Sequence, residues 1–242
     1  MNQLQEMVVI SLLSFLSAMV TSILGFGAGL VLTPLLTFIM PLREALGIGA
    51  LVYLVTAASK TYWFRADIDQ TLWKRCLPLS FLGLVIGMLI VKIMPERGLE
   101  IVFAALLLYF ALSTGLGKED SISKIPQQVY PFFAGVASIL VHAAGLFYFR
   151  YCRMHGLDRV QTVATMAAHH FTLNIGKAIF FTTSGMIAAE YSYRLIPAYL
   201  CAIIGTRFGR YFLKDHVSEK MFNRGVSFLL ILLAIRLVWN AF

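Results

Sequence analysis

The chain has 242 residues, of which 59% are hydrophobic and 13% charged, with a formal net charge of +8 and a mean hydropathy of +0.79. A soluble domain carries about 25% charged residues, so this composition excludes one and identifies an integral membrane protein. With about 20 apolar residues needed per spanning helix, the length admits about eight to ten segments and leaves no room for an extramembrane catalytic domain.

The excess positive charge lies between hydrophobic runs without any basic run or aromatic-basic module. It therefore reads as a topology signal and not as a nucleic-acid surface. Cys76, Cys152 and Cys201 stand far apart and offer neither a CxxC pair nor a disulfide framework, so they read as packing residues.

In chain order, Met7 to Ile23 is the first apolar run. Its leader Met1 to Glu6 has no Lys or Arg, which predicts a retained first segment and not a cleaved signal. Gly25-Phe26-Gly27-Ala28-Gly29 follows. Three glycines at alternate positions disfavour a helix interior by about 1 kcal/mol each relative to alanine, so the helix is predicted to break there. Backbone freed at bilayer depth is tolerated where it lines a polar cavity, which makes this break a candidate binding site. Segment two, about Gly27 to Met40 with Pro34 inside it, is short enough for a half-helix or one limb of a re-entrant pair.

Segments three to five run over about Ala45 to Trp63, Cys76 to Met94 and Leu99 to Leu116. The polar stretch ending at Pro126 is the midpoint linker, dividing the chain into a first membrane repeat at 1–117, a linker at 118–128 and a second repeat at 129–242. Five more segments follow: about Val129 to Val141, Ala143 to Tyr151, Val160 to Met186, Arg194 to Leu213 and Met221 to Phe242. An offset of 117 lays Lys60 on Lys177, one of 116 lays Gly29-Leu30 on Gly145-Leu146, and one of 122 lays Gly83-xxx-Gly87 on Gly205-xxx-Gly209. The fold expected is all-α, with two five-segment repeats that an odd segment count inverts in the membrane.

Charge bias orients this layout. Arg65, Lys74, Arg75, Lys118, Lys124, Arg150, Arg153, Arg159, Arg210, Lys214, Lys220 and Arg224 collect on one side, against Arg43, Lys92, Arg97 and Arg194 on the other. The positive-inside rule then puts both termini outside the cytoplasm.

No acidic residue falls at mid-membrane in this parsing, whereas Lys60, His142, His169, His170, Lys177 and Arg207 lie inside apolar runs. A cation carrier needs a fixed counter-charge in its path, so a cationic interior points to an anionic substrate. Gly49, Tyr53, Thr56 and Lys60 share one helix face, as do His170, Asn174 and Lys177 on the repeat-related segment. Facing each other, these stripes supply donors around a cavity at which half-helices starting near Gly27 and Ala143 aim their N-terminal partial charge. The candidate substrate-binding set is Gly25, Gly27, Gly29, Tyr53, Thr56, Lys60, Gly145, His170, Asn174 and Lys177. Lys60, three residues from Trp63, is equally placed to snorkel to the interface.

His169-His170 does not make a metal site, because adjacent helical residues point about 100° apart and no partner stands at ligand spacing. His169 reads as a packed helix histidine, and His170 as a group that could couple a proton. The Gly83-xxx-Gly87 and Gly205-xxx-Gly209 pairs read as close helix contacts.

Ser17 to Leu36, SAMVTSILGFGAGLVLTPLL, resembles the glycine-rich first signature of the sulfite exporter TauE/SafE family. Ala66-Asp67-Ile68-Asp69 is similar to that family's approach to its fourth segment, and Gly205-Thr206-Arg207-Phe208-Gly209 through Arg236 extends the likeness into the second half. Where the family commonly repeats its glycine cluster, this chain has His142-Ala143-Ala144-Gly145. The resemblance implies an inner-membrane carrier, not an enzyme, for sulfite, thiosulfate or an organosulfonate, with its site between two repeats. Its partners are then a small anion and the lipid bilayer, with no cofactor. Proton coupling, the direction of transport and a homodimer stay open, as do another small anion and a non-transporting accessory subunit.

Overall fold

The computed structural model describes residues 2–24, 28–115, 126–187, 191–212, 227–228, 231–236 and 239. Among them are ten α-helices and no strand: α1 (Gln3–Leu24), α2 (Ala28–Leu36), α3 (Leu42–Trp63), α4 (Gln70–Ile93), α5 (Glu96–Gly115), α6 (Tyr130–Leu140), α7 (Ala144–Met154), α8 (Arg159–Thr183), α9 (Tyr191–Arg194) and α10 (Ile196–Phe212).

The molecule is apolar on its outside and carries polar groups within. On α1, Leu4, Val8, Leu12 and Leu16 form an exposed stripe at steps of four, and Ile196, Leu200, Ile204 and Phe208 do the same on α10. Exposed apolar stripes of this length mark a surface made for lipid. The opposite faces bury small or polar residues such as Ser14, Ser17, Ser80, Ser138 and Thr206. Of the described helices, α1, α3 and α4 are each long and apolar enough to cross a membrane. The chain is an all-α membrane protein, as its composition predicts.

Lengths separate full helices from half-helices. At 1.5 Å per residue, 22-residue α3 reaches about 33 Å, whereas 11-residue α6 and α7 reach about 16 Å each and nine-residue α2 about 14 Å. A hydrocarbon core is about 30 Å thick, so α6 and α7 are each about half as long as a spanning helix needs to be.

Five packings hold the helices together: α1 on α10, α4 on α6, α3 on α8, α1 on the short α2, and the short α6 on the short α7. The first two run through glycine. A side chain at Gly83 would collide with the Phe132 carbonyl of α6, and one at Gly87 with Ile139; Gly205 and Gly209 stand likewise against the Phe15 and Met19 carbonyls of α1. These glycines are backbone-to-backbone contacts, the role their spacing predicts. Local chemistry sets the ends of the full helices. Asp69 caps α4 by accepting from Leu72 N at 2.8 Å and donates its own N–H to Thr165 Oγ1 of α8, and Asp158 with Gln161 forms a capping box on α8.

At the N-terminal end of α1, Tyr191 donates its hydroxyl to Glu6 at 2.7 Å. Burial, with the Glu6 carboxylate beside it, pushes the Tyr191 hydroxyl above its usual range, so it stays protonated and keeps this link from the α9 turn to α1.

Candidate functional site

The centre of the molecule is where α3 crosses α8 beside the two helix breaks. Gly25 and Gly27 lie outside the described residues; Gly29 is in the first turn of α2, and Gly145 is buried in the first turn of α7.

Both stripes face inward. On α3, Tyr53 and Thr56 are buried and Lys60 is half-buried; on α8, Asn174 and Lys177 are buried and His170 is half-buried. The charges of Lys60 and Lys177 both act on His170, and Lys177 acts on His142 as well. His170 is thus near the lysines of both helices. Arg207 is not among them, being exposed on α10. It lies inside an apolar run but on the outward face of its helix, a difference periodicity alone does not resolve for a long side chain.

Lys177 is 2% exposed, and its Nζ donates to the Ser138 carbonyl at 3.0 Å, in the last turn of α6. Among the described residues no carboxylate pairs with it; Glu6, Glu44, Asp67, Asp69, Glu96, Glu100 and Asp158 all fall in loops, caps or the first two turns of helices. Thr56 donates its hydroxyl proton back to Val52 O at 2.8 Å, so toward the interior it offers lone pairs.

His169 faces away from this centre. Its Nε2 meets Ser80 Oγ at 2.8 Å and its ring stacks on Tyr148 with centroids 3.8 Å apart and planes 7° from parallel. It joins α8 to α4 and α7 and is a packing residue, as the 100° step from His170 predicts.

The break between α6 and α7 holds what the sequence did not reveal. No glycine or proline occupies 141–143; instead His142 takes a φ of 53°, the one non-glycine left-handed residue among those described. Such a conformation costs about 1–3 kcal/mol and persists only where the surroundings impose it. Here they do. His142 Nδ1 lies 2.9 Å from Thr33 Oγ1 of α2, and its ring meets Tyr53 edge-on at 5.1 Å between centroids. Gly49 makes the room, since a Cβ there would stand 2.9 Å from Thr33 Oγ1 and 3.2 Å from His142 Cε1. Thr33 and His142 were legible only as a polar residue in a short apolar helix and a histidine in an apolar run. Nothing in the sequence pairs residues 109 apart.

Three polar atoms around this centre are buried without a hydrogen-bond partner: His142 Nε2, His170 Nε2 and Asn174 Oδ1. Buried polar groups are ordinarily satisfied; a protonated ring nitrogen of His142 or His170 and the Lys177 amine can donate to a ligand oxygen, whereas Asn174 can do so only through its amide nitrogen.

No curated protein and no solved structure significantly matches the chain. A family model described as Sulfite exporter TauE/SafE matches residues 10–237, nearly the whole length, and its description accords with the membrane fold and cationic centre. On that match the chain belongs to the TauE/SafE sulfite exporter family and is a membrane transporter.

Proposed function

We propose that the protein carries a small sulfur-containing oxyanion, such as sulfite, thiosulfate or an organosulfonate, across the cytoplasmic membrane by alternating access. The observation that carries this reading is Lys177, buried to 2% exposure in a membrane protein and held by a neutral carbonyl. An ionisable side chain in that setting is costly unless it serves a pathway, and the natural counter-charge for an amine is an anion. Lys60, Tyr53, His170 and Asn174, with Gly29 and Gly145 in the first turns of α2 and α7 and the sequence positions Gly25 and Gly27, complete the proposed set; Thr56 joins it only if its hydroxyl turns from Val52 O toward the anion.

Two inverted repeats, 1–117 and 129–242, move against each other around this site. The helix pairings support such a relation: exchanging the halves turns α1 on α10 into α6 on α4 and leaves α3 on α8 unchanged. The register agrees. Gly83 touches Phe132 and Gly205 touches Phe15; Phe15 and Phe132 stand 117 residues apart and Gly83 and Gly205 122, the offsets that align the halves in sequence.

The test is the melting of detergent-purified protein against sulfite, thiosulfate, sulfoacetate, phosphate, acetate and chloride. At 100 times Kd, selective binding stabilises by about 2.7 kcal/mol, and the shift disappears in Lys177→Ala. Equal shifts with every anion, or a shift that survives in Lys177→Ala, overturn the assignment.

A further inference from the structure

We propose that His142 is a substrate-contacting residue, its ring Nε2–H donating to an oxyanion oxygen at the break between α6 and α7. The inference rests on the anion reading above and assigns to one side chain a task that the first half of the chain meets with glycines.

The geometry points to a ring held for use. His142 is 8% exposed, and its Nε2 is buried with no partner among the described residues. The other nitrogen is engaged: Nδ1 sits 2.9 Å from Thr33 Oγ1, and Tyr53 in turn bonds to the Thr33 hydroxyl. With Thr33 donating its hydroxyl proton to Nδ1, the arrangement proposed here, the Nδ1 position is an acceptor. The ring proton then belongs on Nε2, so the free nitrogen is a donor. Asn174, 5% exposed with Oδ1 unpartnered, and Lys177, whose charge acts on His142, stand on the α8 side of the same centre.

Backbone strain supports the same conclusion. In the repeat alignment that lays Gly29 on Gly145, the place of His142 falls within the Gly25-Phe26-Gly27 stretch, rich in the residue type that takes a left-handed φ without strain. A histidine kept at 53° spends stability that a glycine there would save, and what it adds is the ring. Thr33 is a positioning residue, fixing the tautomer and the ring plane.

The experiment titrates purified wild type, His142→Asn, His142→Gly, Thr33→Val and Thr33→Ser with sodium sulfite and sodium sulfoacetate, reading affinity from the melting shift. Asparagine tolerates the left-handed backbone and can still accept from Thr33, and glycine removes the strain altogether, so both variants fold. Loss of a hydrogen bond to a charged oxygen predicts about ten- to hundredfold weaker binding in both, with ligand-free melting within a few degrees of wild type. Thr33→Val weakens binding and Thr33→Ser restores it. Wild-type affinity in His142→Asn and His142→Gly overturns the role of His142 while leaving the anion reading intact. A wild type that binds neither anion overturns that reading and this inference with it.

Discussion

Replacing Gly49 by alanine places a methyl group 2.9 Å from the Thr33 hydroxyl oxygen and 3.2 Å from His142 Cε1. Neither neighbour can yield without giving up the 2.9 Å contact between Thr33 and His142. Gly49→Ala is therefore expected to weaken anion binding about tenfold while the helix around it, for which alanine is the better former, keeps or gains stability. Parallel titration and melting of the variant check both halves, and unchanged affinity contradicts the packing argument. The residue scale is also where sequence reading reached least far. The stripe of Gly49, Tyr53 and Lys60 was legible because 3.6-residue periodicity puts them on one face. The role of Gly49 was not, because it is defined by a threonine on α2 and a histidine on the α6–α7 turn.

At the scale of elements, the two glycine pairs bring α4 to α6 and α10 to α1 at backbone distance, with carbonyls of Phe132 and Phe15 where side chains would otherwise project. A carbonyl belongs to the helix and cannot rotate aside as a flexible side chain can. Gly83→Val and Gly205→Val are each expected to destabilise the protein by about 1–3 kcal/mol or more and to lower the yield of folded protein in detergent. Size-exclusion profiles and melting temperatures indistinguishable from wild type would count against these contacts. Both pairs were visible in the sequence, since small residues at steps of four have few uses inside a membrane other than close approach. The break after α6 was placed in the sequence, between Val141 and Ala143, but what holds it was not legible there. Propensity marks a helix end by glycine, proline or a capping side chain, and Val141-His142-Ala143 contains none of these; tertiary contacts with Thr33 and Tyr53 hold the histidine in a conformation that its own preferences oppose.

For the whole molecule, the distribution of Lys and Arg predicts the orientation in the bilayer. Single cysteines introduced at Gln3 and at Lys74, in a chain whose Cys76, Cys152 and Cys201 are replaced by serine or alanine, are expected to label from opposite sides of intact cells with an impermeant maleimide: Gln3 from outside, Lys74 only after permeabilisation. Labelling of both from the same side overturns the positive-inside layout of the first half. Composition and hydropathy by themselves determined that the chain is an all-α membrane protein, because bilayer thickness and the need to satisfy every backbone group leave few solutions for so apolar a sequence. Motif and periodicity reached the family and the inward stripes of α3 and α8. The tertiary structure decided what periodicity cannot express: that Arg207 faces outward, that Lys177 is tethered to Ser138, and that Thr33 meets His142 across 109 residues. Those contacts join helices remote in sequence, and their geometry follows from how the glycine-lined interfaces let the helices approach, which no local rule encodes.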